Sequence, residues 1–142
     1  MTGGAAPLRI VMVEDNVADV ILVREALNAH QIQFEMTHLK DGAEAVAMLC
    51  GDRADGNSPD LILLDLNMPK LSGLEVLSAI RQNGVLNHVP VIILTSSPAP
   101  EEQQAARRLG AVQYLQKPSD LYEFIEHVGG AIDALVRQRQ TL

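Results

Sequence analysis

The feature that most limits the fold is a run of four apolar residues, Leu61–Leu64, that ends directly in the acid Asp65. No polar residue interrupts this run, which is the pattern of a strand buried on both faces of a parallel sheet. Asn67, a Met-Pro pair and Gly73 follow, and these residues turn the chain just after the acid. Ligands of open α/β sheets bind at the carboxyl ends of the strands. We therefore expect Asp65 to be the functional centre.

Four other segments are also predicted to be strands, and each strand is followed by a segment with helical periodicity. The predicted strands are residues 8–13, 34–39, 61–64, 89–94 and 111–116. The predicted helices are residues 17–28, 43–49, 74–83, 101–109 and a long final helix from 121. This alternation predicts an α/β fold: a doubly wound, five-stranded parallel sheet of the flavodoxin type, with strand order 2-1-3-4-5.

Three of the helices carry distinctive patterns. The apolar face of the first helix is expected to hold Val17, Val20, Ile21, Val23 and Leu27. The inner side of the last helix is expected to hold Leu121, Phe124, Ile125, Val128, Ile132 and Leu135. Because glycine is unfavourable inside a helix, the pair Gly129-Gly130 predicts either a kink or close packing. The fourth helix has few large apolar residues, so we expect it to be weakly anchored.

Length and charge restrict the function. The 142 residues predict one domain at 8–142, with an extended C-terminal helix, after a flexible lead-in at 1–7. The polar loop 51–59 is expected to be mobile. No apolar run is long enough to cross a membrane and no signal peptide is evident, so we expect a cytoplasmic protein. A net charge of -7, without basic clusters, argues against nucleic-acid binding.

Acids also follow the first strand. The predicted strand order places Glu14, Asp15 and Asp65 at one edge of the sheet. Each pair of like charges near 4 Å would repel by about 4 kcal/mol at an effective dielectric constant of 20. A divalent cation relieves this repulsion. Asp15, Asp65 and the main-chain carbonyl of Asn67 offer the oxygen ligands that Mg²⁺ prefers, and Glu14 would hold a metal-bound water.

Polar residues also close the fourth and fifth strands. Thr95 brings a hydroxyl that can donate to an anionic oxygen, and Lys117 brings an ammonium that can pair with phosphate. Pro118 permits a cis peptide bond that would turn the lysine toward the acids. Taken singly, Thr95 is an ordinary strand-end hydroxyl and Lys-Pro an ordinary turn. Their combination with the acids is specific because every one of these residues follows the carboxyl end of a strand.

Together these residues resemble the response-regulator receiver domain of two-component signalling. The resemblance covers about residues 8–135, and the residues that carry it are Glu14-Asp15, Asp65, Asn67-Met68-Pro69 with Gly73, Thr95 and Lys117-Pro118. It implies that Asp65 accepts a phosphoryl group from a phosphohistidine on a sensor histidine kinase. It further implies roles for the other residues: Mg²⁺ binding by Glu14, Asp15 and Asn67, contact with the phosphoryl oxygens by Thr95 and Lys117, and a rotamer switch at Tyr114.

The sequences of two loops indicate a narrower group within this family. Thr-Ser-Ser-Pro after the fourth strand and Lys-Pro-Ser-Asp-Leu after the fifth resemble single-domain regulators that work with bacterial phytochrome-type histidine kinases. Members of that group often form homodimers through the face made by helix 4, strand 5 and helix 5. Leu121, Tyr122 and Phe124 offer apolar material for such a dimer, or they belong to the core.

The expected chemistry is that of a signalling protein rather than a metabolic enzyme. Asp65 acts as a carboxylate nucleophile, and the acyl phosphate that it forms hydrolyses and resets the signal. Flavin binding is disfavoured because Glu14-Asp15-Asn16 replaces the phosphate-binding loop that it needs. A haloacid-dehalogenase-type phosphatase needs a second acid where Asn67 stands. The remaining alternative is a degenerate receiver that acts as a phosphorylation-independent adaptor, and the complete set of acids with Thr95 and Lys117 argues against it.

Overall fold

The computed structural model describes residues 6–51, 58–84 and 86–140. Parts of the expected lead-in and mobile loop therefore lie outside the described residues. Five strands alternate with five helices: β1 (Leu8–Val13), α1 (Val17–Ala29), β2 (Phe34–Leu39), α2 (Gly42–Leu49), β3 (Leu61–Leu64), α3 (Gly73–Gln82), β4 (Val91–Thr95), α4 (Pro100–Arg108), β5 (Gln113–Gln116) and α5 (Leu121–Gln140). The strands pair in parallel in the order β2-β1-β3-β4-β5, which confirms the predicted fold class and topology.

Two apolar cores cover the two faces of the sheet. Alternate residues of β3 point to opposite cores: Ile62 and Leu64 pack with α2, α3 and Ala106 of α4, whereas Leu61 and Leu63 pack with α1 and α5. All four residues are buried, which explains why the run contains no polar residue. Polar side chains, among them Glu14, Asp65 and Thr95, lie at or directly after the carboxyl ends of the strands.

Two strands begin later than the sequence predicted. β4 begins at Val91 rather than Val89, since the residue between them is proline, which has no N–H to give to a ladder. β5 begins at Gln113 rather than Ala111, because the Ala111 N–H donates to the Ala106 carbonyl and completes the end of α4.

The expected inner faces of α1 and α5 were wrong at three positions. Val17, Ile21 and Leu121 are 61%, 53% and 58% exposed. The buried residues of α1 are Val20, Val23, Ala26 and Leu27, and Ile21 lies about 160° around the helix from Val23, which is near the middle of that buried face. Val17 and Leu121 each lie in the first turn of their helix, before the stretch that the core covers.

Close packing, one of the two outcomes expected at Gly129-Gly130, is found at Gly129. A Cβ atom there would lie 2.2 Å from His30 Cδ2 and 2.8 Å from the Ala26 carbonyl oxygen. The glycine therefore lets α5 approach the end of α1. No described helix is both long and apolar enough to pass through a bilayer.

Candidate functional site at the carboxyl edge of the sheet

Backbone hydrogen bonds position the polar residues that follow the strands. The Asp65 N–H donates to the Val13 carbonyl at 3.0 Å, and the Glu14 N–H donates to the Leu39 carbonyl at 2.9 Å. The Lys117 N–H donates to the Thr95 carbonyl at 2.8 Å. Each bond extends the ladder one step past a strand, so these side chains are held by the rigid sheet rather than by a loose loop.

Three acids meet at this edge. Carboxylate oxygens of Glu14, Asp15 and Asp65 all lie within 4.8 Å of one another. Glu14 and Asp65 are only 1% and 5% exposed, whereas Asp15 is exposed. The structure thus brings together the three acids that the strand order placed at one edge, and it leaves the cluster open to solvent on the side of Asp15.

Lys117 provides the positive charge beside this cluster. Its Nζ lies 2.8 Å from Glu14 Oε1 and 3.5 Å from Asp65 Oδ2. A third carboxylate, Asp19 Oδ2, lies closest, at 2.7 Å. Pro118 is not needed to aim the lysine through a cis bond, because every peptide bond among the described residues is trans.

The surroundings of Glu14 and Lys117 shift the pKa values of both side chains. Loss of solvent raises the pKa of Glu14 to about 8, although the neighbouring ammonium of Lys117 opposes the rise. Burial also lowers the pKa of Lys117, but the carboxylates of Asp19, Glu14 and Asp65 more than reverse this, so its pKa is raised overall. The lysine therefore stays protonated at neutral pH.

The donor set fits a hard divalent cation. Glu14 Oε1 is buried and accepts no hydrogen bond, although it lies within ion-pair distance of Lys117. Asp15 and Asp65 add carboxylate oxygens within reach of the same point. Oxygen-only sites with this charge select Mg²⁺, Mn²⁺ or Ca²⁺ over zinc or copper.

Asn67 links the loop after β3 to the end of β4. Its main-chain N–H donates to Asp65 Oδ1 at 3.2 Å, and its side-chain Nδ2 donates to Thr95 Oγ1 at 3.3 Å. Thr95 is fully buried. The hydroxyl predicted to contact a phosphoryl group is therefore held next to the loop that follows Asp65.

Tyr114 lies farther from the acids, on β5. It is half-buried, and its hydroxyl donates to the Ser97 carbonyl at 3.0 Å. The Ser97 hydroxyl in turn donates to Glu102 of α4. Tyr114 thus contacts the loop that joins Thr95 to α4.

Two residues near the site were not singled out from the sequence. Asp19 lies in the first turn of α1, four residues after Asp15. His38 is the second-last residue of β2, and its Nε2 donates to the Glu14 carbonyl at 2.6 Å. The predicted strand order places β2 beside β1, and from this order the sequence could have indicated that His38 lies near Glu14.

Comparison with known proteins agrees with this geometry. Residues 10–129 match the family model described as the response regulator receiver domain. The response regulator Rcp1 from a Synechocystis strain is 40% identical over 126 residues, covering 87% of this chain and 86% of the relative.

Solved structures of response regulators are also similar to this chain. The phosphorylated cyanobacterial phytochrome response regulator RcpA superposes with a TM-score of 0.81 at 37% identity, covering 89% of this chain and 91% of the other. The Mn²⁺-bound form of Rcp1 has a TM-score of 0.78 at 41% identity, with 87% and 91% covered. The bacteriophytochrome response regulator RtBRR has a TM-score of 0.69 at 33% identity, with 84% and 75% covered. The chain therefore belongs to the response regulator receiver domain family, whose members bind a divalent metal at their acidic pocket and interact with sensor histidine kinases.

Proposed function

We propose that this protein is a response regulator that is phosphorylated on Asp65 by a sensor histidine kinase. The observation that carries the proposal is the meeting of the buried Asp65 with two further acids and the Lys117 ammonium at one sheet edge. A lone buried carboxylate would be a poor phosphoacceptor, because its charge and that of the phosphoryl group would repel. Here the Lys117 ammonium offsets part of that repulsion, and a divalent metal held by the acids would offset more.

Each residue of the site has its own role in the proposed phosphoryl transfer. A carboxylate oxygen of Asp65 attacks the phosphorus of the phosphohistidine; the new P–O bond forms as the P–N bond breaks, and the histidine leaves with the electron pair of that bond. Glu14, Asp15, Asp65 and the Asn67 carbonyl would hold Mg²⁺, which neutralises charge on the transferring group. Lys117 stabilises the same charge with its ammonium. Attack of water on phosphorus later returns the free carboxylate and inorganic phosphate.

The signal would leave the site through Thr95 and Tyr114. A phosphoryl oxygen accepts a hydrogen bond from the Thr95 hydroxyl. Tyr114 then gives up its hydrogen bond to the Ser97 carbonyl and turns inward to a different rotamer. The helix beside them is easily moved: of the residues of α4, Ala106 alone is buried, and Ala99 caps the helix without a side-chain hydrogen bond. A few kcal/mol suffice to shift so weakly packed an element.

We further propose that the kinase docks on the start of α1. Val17 and Ile21 are large, exposed apolar residues one helical turn apart, and Val17 is two residues from Asp15. A partner seated on them would bring a phosphohistidine to the acid cluster. Since RcpA and RtBRR are phytochrome response regulators by description, we propose a phytochrome-type kinase as this partner.

We also propose that residues 8–142 act as one receiver domain and that output includes a homodimer formed through α4, β5 and α5. Val112, Leu121 and Tyr122, near and within these elements, are 54%, 58% and 71% exposed. Phe124, which the sequence also offered for the dimer, is 2% exposed and belongs to the core. Apolar residues exposed in this way are suited to a partner of the same chemistry.

Phosphorylation of the purified protein tests the central proposal. We expect incubation with acetyl phosphate and Mg²⁺ to add one phosphoryl group, detected by intact mass and located on Asp65 by peptide analysis. Asp65→Asn is the matched control and should gain none. A wild-type protein that gains no phosphoryl group, and whose structure does not respond to beryllofluoride with Mg²⁺, would instead be the phosphorylation-independent adaptor.

A further inference from the structure

Lys117 is shared unequally among three carboxylates. Its Nζ lies 2.7 Å from Asp19 Oδ2, to which it donates a hydrogen bond, but 3.5 Å from Asp65 Oδ2. The contact to the proposed phosphoacceptor is thus the longest, and the contact to a residue outside the three-acid cluster is the shortest. Asp19 draws the ammonium toward α1.

The position of Asp19 is fixed by the start of α1. Asn16 caps the helix, its Oδ1 accepting from the Ala18 N–H at 2.9 Å, and the Asp19 N–H donates to the Asn16 carbonyl at 3.1 Å. The neighbouring Val20 is buried in the core. The Asp19 and Lys117 side chains are 17% and 10% exposed, so the pair is shielded from solvent and screening ions.

We propose that Asp19 is a positioning residue that holds the Lys117 ammonium away from Asp65 when no phosphoryl group is present. It competes with the phosphoryl oxygens for the same ammonium, and this second part rests on the proposed function. Asp19→Asn keeps the shape of the side chain but removes its charge. Lys117, which already contacts Glu14, then moves toward Asp65, where it competes with a bound metal and is ready for an incoming phosphoryl group.

The first test observes Lys117 directly in metal-free protein. The chain has three lysines, Lys40, Lys70 and Lys117, so the Lys117 ε-methylene resonance can be assigned from its loss in Lys117→Arg. We expect Asp19→Asn to shift this resonance. Glu25→Gln, which removes an exposed acid from the same helix, should leave it in place. An unshifted resonance in Asp19→Asn would overturn the proposal.

The second test is a double-mutant cycle on Mg²⁺ affinity. We expect Asp19→Asn to weaken Mg²⁺ binding by about fivefold in the protein with Lys117, but by less than about twofold in a Lys117→Met background. The difference between the two losses of Mg²⁺ affinity measures the effect of the released lysine, apart from the effect of removing one negative charge. An equal loss in both backgrounds would show that Asp19 acts only as a distant charge.

The third test separates this proposal from the proposed function. With Mg²⁺ saturating, Asp19→Asn should bind beryllofluoride, a mimic of the phosphoryl group, about fivefold more tightly than the wild type. Tighter binding supports the competition, and unchanged or weaker binding overturns it. If the wild type binds no beryllofluoride and accepts no phosphoryl group, the proposed function fails, while the resonance and the Mg²⁺ cycle still decide whether Asp19 holds Lys117.

Discussion

Gly73 lies directly against the main chain of Asp65. A Cβ atom at residue 73 would be 2.3 Å from the Asp65 carbonyl oxygen and 2.6 Å from Leu66 Cα. The Gly73 N–H donates to the Leu66 carbonyl at 2.9 Å, and Ser72 and Glu75 form a capping box at the start of α3. The cap and the missing side chain together bring α3 up to the proposed phosphoacceptor.

We predict that Gly73→Ala lowers both stability and phosphorylation. The atoms that a methyl group would meet are backbone, so Asp65 must be displaced, and we expect a loss of about 2–3 kcal/mol in the free energy of unfolding by urea. Gly130→Ala is the control, because a Cβ at residue 130 meets nothing within 4 Å. In the interior of α5 it should add about 0.5–1 kcal/mol. A Gly73→Ala variant as stable as the wild type would contradict this account.

The second prediction concerns Glu14 and the stability of the metal-free protein. The pKa of Glu14 is raised from 4.5 to about 8 by burial, so between these values the folded state binds a proton that the unfolded state has released. The free energy of unfolding should therefore fall as pH rises from about 4.5 to about 8. The raised pKa of Lys117 adds no slope there, because the lysine is protonated in both states. Urea titrations of Glu14→Gln should show a weaker decline than the wild type, and an identical decline would refute the assignment.

The third prediction links the same proton to metal binding. At pH 7 much of Glu14 is protonated, and a cation next to its carboxylate favours the charged form. Mg²⁺ binding should therefore release up to one proton, and the release should vanish above the pKa near 8. Calorimetry in buffers of different ionisation enthalpy measures this number. Glu14→Gln should release markedly less, and equal release from both proteins would count against Glu14 as the source.

The fourth prediction concerns Arg81, which ties α3 to the end of α4. Its guanidinium donates to four main-chain carbonyls, those of Asn87, Val89, Leu109 and Gly110, at 2.9 to 3.1 Å. Arg81→Ala should lower the free energy of unfolding by about 2–3 kcal/mol. The exposed Arg108 of α4 is the matched control, and Arg108→Ala should change stability by less than about 0.5 kcal/mol. Similar losses from both variants would argue against a specific role for Arg81.

The fifth prediction separates the two proposed interaction surfaces. Ile21→Ser should slow phosphotransfer from a cognate kinase by about tenfold while leaving phosphorylation by acetyl phosphate unchanged, because the small donor needs no docking surface. Tyr122→Ser should weaken self-association, measured by sedimentation with beryllofluoride, and leave phosphotransfer unchanged. Each variant is the control for the other, since both replace an exposed apolar residue. Equal effects in both assays would mean that the two surfaces are not distinct.

Much of this protein was determined by its sequence alone. Uninterrupted apolar runs such as Leu61–Leu64 predicted buried parallel strands, and the alternation with helices predicted their order. Because parallel strands end at one edge, the order in turn predicted that acids after β1 and β3 would meet. These inferences depend on local periodicity and on the chirality of strand connections, which short stretches of sequence encode.

Other features were decided only by the tertiary structure. Periodicity places Ile21 and Leu121 on apolar stripes, but which part of a stripe is covered depends on the neighbouring elements, and both residues are exposed. The ion pair between Asp19 and Lys117 joins residues 98 positions apart. Which of several carboxylates a lysine prefers is set by differences of less than 1 Å in a folded site, and the sequence carries no separate signal for such differences.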